Sequence, residues 1–270
     1  MNIKQPSSLP ALSPLPVIYD DGDILAVHKP SGTLSHPNTS TKKRGQTRHA
    51  VSVPFSPGRQ AGKSAFLGNY DFRDRRFDAP GGGVWLIHRL DQDASGILLA
   101  TRQVDTARKM RRIFEEQKIE KDYVVLLLGR PRPFSGVWRD ALGERRETGR
   151  VRAFAMKSGR SNAELQYHVD ESFNYGGETF SLVQIRLMSG KTHQIRVQAA
   201  SRTCPVAGDE IYGIFSMNRR LKKEIGLRRL FLHAFHLSFL HPKTGQTLEI
   251  VDPLPDDLEA PLLKLGSVKQ

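Results

Sequence analysis

Acidic residues, cysteine and long apolar runs are what this chain has little of. Its 270 residues hold 28 Asp and Glu against 41 Lys and Arg, a formal net charge of +13. A stable core needs no such excess, whereas a polyanionic partner explains it. The lone cysteine, Cys204, excludes a disulfide framework and a cysteine-rich zinc site within one chain. It reads as a small buried filler. The apolar runs are too short to span a bilayer, so no membrane partner is expected. The opening MNIKQPSSLPALSPLP is proline-rich and has no apolar leader core. It reads as an extended arm (residues 1–16), with the cytoplasm as the expected location.

Phosphate-loop and metal patterns are missing as well. GKS at 62–64 and GKT at 190–192 end like a phosphate loop, but Pro57 and Ile185 stand where its first glycine is required. There is no G-x-G-x-x-G, so no nucleotide cofactor is expected. The nine histidines include no H-x-x-x-H pair, and no metal site is expected.

With 38% hydrophobic and 26% charged residues, the chain is globular. VIYDDGDILAVHKPSG (17–32) reads as strand, tight turn and strand, stopped by Pro30 and Gly32. Residues 38–83 form a long Gly-, Ser-, Pro- and Arg-rich segment of weak periodicity, expected to be a basic loop. It holds nine cations against three aspartates, nearly half of the excess charge. Residues 97–101 read as a buried strand and 103–119 as a helix with Ala107, Met110 and Phe114 on one face. Further strands are expected at 121–129, 162–169, 179–188, 230–242 and 247–251. Many strands with few helices between them argue for an α+β fold with a mixed, mostly antiparallel central sheet.

Four stretches then fall into a shared order. They are HRLDQDASG (88–96), KIEKDYVVLLLG (118–129), SGKTHQIRV (189–197) with GDEIYG (208–213), and LHP (240–242), preceded by KPSG (29–32). Together they resemble the RluA-type pseudouridine synthases over about residues 17–258. That family's motif reads roughly H-R-L-D-x-x-T-S-G, and a later one G-R-T-H-Q-I-R-V. Here Ala94 stands for the usual threonine and Lys191 for an arginine, which keeps the charge but loses the planar fork. The resemblance implies a pseudouridine synthase fold: one catalytic domain (17–258), flanking helices and an active-site cleft, followed by a C-terminal tail (259–270). The sixteen residues before the first strand are too few for the S4 RNA-binding domain that many relatives carry.

The implied reaction breaks the uracil N1–C1′ bond, turns the base and rejoins it through C5, with no cofactor. It needs an ionised carboxylate, and the resemblance assigns that role to Asp91. It makes Arg196, 105 residues later, the guanidinium that opposes protonation of an enclosed acid. Tyr123 is placed against the uracil face, with stacking weighted above general-base work because a free phenol has a pKa near ~10. Arg89 is assigned to holding a flipped-out uridine, a step costing roughly a few kcal/mol. His88 reads as structural, and Asp93 as a turn acid bonding the local backbone.

RNA contact is expected from two basic runs. One contains Lys42, Lys43 and Arg44; the other, RRLKKEIGLRR (219–229), contains Arg219, Arg220, Lys222 and Lys223. The expectation is a monomeric enzyme on ribosomal or transfer RNA. The rival reading is a non-catalytic RNA-binding or ribosome-assembly factor on the same scaffold.

Overall fold

The computed structural model describes residues 15–37, 66, 69–79, 82–147 and 150–267. The chain divides into two compact units. The first runs to Ile119 and takes in 238–251; the second comprises 120–237 and the segment from Asp252 onward.

The first unit holds β1 (Val17–Asp20), β2 (Ile24–Lys29), β3 (Asn69–Asp71), β4 (Arg76–Ala79), β5 (Gly82–Leu86), β6 (Ser95–Thr101) and α1 (Val104–Glu115). β1 and β2 form a hairpin whose turn is built by aspartates. Asp20 accepts the Gly22 N–H (3.0 Å), and Asp21 accepts those of Asp23 (2.9 Å) and Ile24 (2.7 Å). Gly22, at φ +89°, takes the left-handed position such a turn requires. β2 pairs antiparallel with β6, and β6 with β5. β6 is buried along its whole length, which explains its unbroken apolar sequence. α1 lays Ala107 and Met110 inward, as the spacing indicates, and ends at Glu116 with Gln117 left-handed.

Inside the segment read as a long loop, β3 and β4 pair with each other and β4 with β5. Tyr70 and Phe77 are 3% and 0% exposed, so these short strands are held by buried rings despite the polar residues between them. Aromatics at 66, 70, 72 and 77 were the available signal.

The second unit holds β7 (Ile119–Leu128), β8 (Ser135–Asp140), β9 (Leu142–Glu147), β10 (Arg150–Ala155), β11 (Ala163–Tyr175), β12 (Glu178–Leu187), α2 (Gln194–Ala200) and α3 (Phe215–Glu224). It also takes most of β13 (Leu232–Leu240), while β14 (Thr247–Val251) returns to the first unit and α4 (Asp256–Ser267) to the second. Its strand order is β13-β7-β12-β11-β8, with the β7–β12, β12–β11 and β11–β8 ladders antiparallel. β9 and β10 make a separate antiparallel ribbon. Leu126, Phe180, Phe231, Leu221, Leu258 and Leu265 share one buried cluster. The residues expected to trail away after 258 therefore continue as α4. Its acidic first turn and the inward Leu258 and Leu265 account for the helix. The expected α+β class with mostly antiparallel strands is the one observed.

Candidate active site

Asp91 lies on the connection from β5 to β6, in the first unit. His88 fixes the start of that connection. Its Nε2 accepts the Leu99 N–H (3.1 Å), which makes the ring neutral with its proton on Nδ1, and the ring stacks on Phe114 (centroids 5.0 Å apart, planes at 17°). The structural reading of His88 agrees with this.

The segment 29–35, which opens with KPSG, then grips the connection from the other side. Ser35 Oγ both accepts the Leu90 N–H and donates to the Leu90 carbonyl, each at 3.0 Å. Gly32 N–H donates to the Gln92 carbonyl (2.8 Å), and Gln92 Nε2 returns a bond to the Gly32 carbonyl (3.1 Å). Ser31 Oγ donates to the Asp93 carbonyl (2.7 Å). Lys29, fully buried at the end of β2, closes the set. Its ammonium donates to the carbonyls of Ala94 (2.6 Å), Thr33 (2.8 Å), Gln92 (3.0 Å) and Pro30 (3.1 Å). Burying an ammonium is tolerated only when its donors are satisfied, and here they are spent on the backbone just after Asp91 and on that of residues 30 and 33. Asp91, half-buried, thus follows one anchored residue and precedes another.

Two details depart from the sequence reading. Asp93 is held by its main-chain carbonyl, and among the described residues its carboxylate makes no bond to local backbone. Ala94 is 2% exposed and contributes its main-chain carbonyl to Lys29, a bond that does not depend on the side chain at this position. Lys29 and Ser35 were missed as supports because a strand-ending lysine and a loop serine read as surface residues.

Arg89 is exposed and lies within electrostatic reach of His36 and Tyr70. Burial, with Arg89 and Arg75 adding to it, holds the His36 imidazolium below its usual range. Burial pushes the Tyr70 phenol up to about 12, although Arg75, Arg111 and Arg89 oppose it. His36 stacks on Tyr70 (5.3 Å, 8°) and Phe72 meets Tyr70 edge-on (5.0 Å). Tyr70 and Phe72 of this aromatic wall come from the segment read as a long basic loop.

In the second unit, Tyr123 is 8% exposed on β7, opposite Ile185 of β12. Lys121, two residues earlier on the same face of the strand, is buried, which lowers its pKa. Arg196 projects from α2 and is 1% exposed, so it is not a solvated charge. Its Nε and Nη2 donate to the two carboxylate oxygens of Asp209 at 2.7 and 2.8 Å, a planar fork on a carboxylate. Asp209 Oδ1 also accepts the N–H groups of Ile211 (2.8 Å) and Tyr212 (3.0 Å). Burial alone would raise the Asp209 pKa; the Arg196 hydrogen bonds and charge with these backbone donors reverse that and hold it low. The Tyr212 ring sits 5.3 Å from the Arg196 guanidinium carbon, with its hydroxyl 2.9 Å from His193 Nδ1.

GDEIYG thereby gains a physical reading. Gly208 (φ +77°) packs on the Arg229 carbonyl and Gly213 on that of Asp209, each too closely for a Cβ. Asp209 was missed as the Arg196 partner because nothing in a lone sequence ties positions 196 and 209. At Lys191 the main chain holds the turn, its N–H donating to Gln194 Oε1 (3.1 Å) and its carbonyl accepting the Gln194 N–H (3.1 Å), so the loss of an arginine fork leaves this turn intact.

Asp91 and Arg89 thus belong to the first unit, Tyr123, Arg196 and Asp209 to the second. Lys42, Lys43 and Arg44 lie outside the described residues. Arg219, Lys222 and Lys223 are exposed on α3, whereas Arg220 is committed within the fold to Glu224 (3.0 Å) and the Gly176 carbonyl (2.9 Å). Cys204 is buried and its thiol is pushed up by that burial, as a filler would be. No helix among the described residues is long and apolar enough to cross a membrane.

Comparison with known proteins converges on one family. The model of the RNA pseudouridylate synthase family matches residues 23–201. An uncharacterized RNA pseudouridine synthase of Mycobacterium bovis is 31% identical over 243 residues, covering 90% of this chain and 70% of the relative. Ribosomal large subunit pseudouridine synthase C of Escherichia coli K12 is 29% identical over 255 residues, 94% of this chain and 70% of that one. The solved structure of human RNA pseudouridylate synthase domain containing 1 shares the fold, with a TM-score of 0.63 at 24% identity over 95% of this chain and 90% of the other. Human RNA pseudouridylate synthase domain containing 4 superposes similarly, with a TM-score of 0.62 at 20% identity over 93% and 92%. The motif order, the α+β fold and a family match spanning most of the sequence lead to one conclusion: this chain belongs to the RNA pseudouridylate synthase family and is an RNA pseudouridine synthase.

Proposed function

We propose that this enzyme isomerises specific uridines of large-subunit ribosomal RNA, with Asp91 as the catalytic carboxylate acting on a flipped-out nucleotide. The observation that carries the reading is the double anchoring of the Asp91 connection by Ser35 on one side and Lys29, Ser31 and Gly32 on the other. A reacting group gains most from a backbone that does not have to be organised during the reaction.

In this reading Asp91 acts at C1′ as the N1–C1′ bond breaks. The freed uracil turns, C5 bonds to C1′, and the proton lost from C5 is balanced by one gained at N1. The product is an isomer, so no oxidant and no nucleotide cofactor enters. Arg196 keeps Asp91 ionised, and Asp209 is the positioning residue that orients Arg196 through Nε and Nη2. Tyr123 stacks on the uracil and Arg89 retains the extruded nucleotide. The substrate class follows the E. coli relative, whose name assigns it to the large ribosomal subunit. The enzyme works as a cytoplasmic monomer.

Release of tritium from uridine C5 tests the reading on two transcripts, large-subunit ribosomal RNA and a transfer RNA pool. Release from the first, lost in Asp91→Asn while RNA binding persists, is expected. Release from transfer RNA alone moves the substrate class. Release from neither leaves the non-catalytic RNA-binding factor standing.

A further inference from the structure

Phe215 is 75% exposed at the first turn of α3, higher than any other large hydrophobic side chain among the described residues. Single exposed apolar residues are ordinary on a protein surface. Three observations set this one apart. The Arg219 guanidinium, one turn further on, lies 5.4 Å from the ring centroid, so a cation covers one face of the ring and the exposure leaves the other to solvent. Arg219, Lys222 and Lys223 are all exposed, and none is paired with a carboxylate among the described residues. α3 itself is fixed: Leu221 is 1% exposed in the core, and Asn218 binds the Asp209 carbonyl (2.8 Å) and the Gly208 N–H (3.0 Å). The Phe215 ring is therefore carried on an element bonded directly to the residue that orients Arg196.

We infer that the Phe215 ring, backed by Arg219, is a stacking platform for one unpaired nucleobase of the RNA substrate, with Lys222 and Lys223 contacting the flanking phosphates. At helical spacing, residues 215, 219, 222 and 223 share the outward side of α3, opposite Leu221. An aromatic face with cations around it fits a chain of flat bases joined by phosphates, and stacking accepts any base. Arg220 is not part of the platform, because Glu224, the Gly176 carbonyl and the Tyr175 ring already hold it. This inference deepens the reading of the chain as an enzyme of structured RNA and rests on it.

The test is equilibrium binding of the full chain to a single-stranded 12-mer RNA carrying one 2-aminopurine, followed by anisotropy and by quenching of the 2-aminopurine. Phe215→Ala is expected to weaken binding about 10-fold and to relieve the quenching, the usual yield of one lost base stack. Phe215→Trp restores both, and Phe215→Leu restores neither. Leu263→Ala, which removes an exposed apolar side chain from α4, leaves affinity within about twofold. Replacing Lys222 and Lys223 together by alanine reduces the slope of log K against log salt by about 1.4, for two lost contacts to a single strand. Equal affinity and equal quenching for wild type and Phe215→Ala overturn the inference. So does a change in sedimentation of Phe215→Ala without RNA, which assigns the ring to a second copy of the chain. Stacking that Phe215→Ala abolishes, in a protein whose wild type releases no tritium, would sink the catalytic reading and leave the platform; normal tritium release with an indifferent Phe215 does the reverse.

Discussion

Replacing Lys29 by methionine removes one ammonium and keeps most of the side chain's length. The three N–H donors of that ammonium serve four carbonyls at 2.6–3.1 Å, so at least one donor is shared. Net hydrogen bonds to a charged group contribute about 1.5–3 kcal/mol each, and each buried carbonyl left without a donor costs about 1–3 kcal/mol. The carbonyls of Thr33 and Ala94 face this loss most directly, since their bonds to Lys29 are buried. Against it stands the desolvation of the ammonium, several kcal/mol that methionine no longer incurs. The balance is a destabilisation of about 3 kcal/mol, or a Tm lower by about 6–12 °C in a chain of this size. The same change should loosen the connection that carries Asp91. A displacement of about 1 Å there costs about 100-fold in single-turnover rate. Thermal unfolding with hydrogen exchange at the Gly32 amide, which donates to Gln92, reads both effects. A Tm within about 1 °C of wild type and an unchanged Gly32 protection factor would refute the claim that Lys29 holds the two segments together.

The remaining predictions concern the second unit. Asp209→Asn leaves the Arg196 guanidinium buried without its carboxylate and should cost about 3–5 kcal/mol in urea unfolding. Because the folded pKa of Asp209 is depressed, its contribution is fully present above the ordinary carboxylate range near 3.8 and is lost as pH falls below it. Wild type should therefore lose stability on acidification more steeply than Asp209→Asn, and parallel acid titrations of the two would contradict this. Gly208→Ala should destabilise more than Gly32→Ala. Both glycines are left-handed, at φ +77° and +82°, but only at Gly208 would the new methyl meet a carbonyl, that of Arg229. Tyr123→Phe retains the ring, so its single-turnover rate should stay within about 10-fold of wild type. A loss of about 10² to 10⁴ would assign the hydroxyl a proton transfer.

Much of the scaffold was legible because its signals are local. The apolar run at 97–101 announces a strand buried along its length, and Ala107 and Met110 announce the inner face of α1. The connection carrying Asp91 was legible as a motif, but its anchoring was not. Lys29 and Gln92 are 63 residues apart, and the bond between them depends on how β2 pairs with β6. The β3–β4 pair escaped because glycine and arginine dominate its surroundings, although the rings of Tyr70 and Phe77 are buried. α2 escaped because it is seven residues long and starts from His193 in a left-handed conformation rather than from a capping side chain. α4 was obscured by Pro261 inside it, yet Leu258 and Leu265 already stood at helical spacing.

Single-turnover conversion of uridine to pseudouridine by Asp91→Asn, run beside Asp93→Asn on the same large-subunit ribosomal RNA transcript, bears most directly on the whole account. The account predicts no conversion by Asp91→Asn with RNA affinity intact, and a rate for Asp93→Asn within a few-fold of wild type, since among the described residues Asp93 is engaged through its main-chain carbonyl. Conversion by Asp91→Asn, or equal inactivity of the two variants, would contradict it.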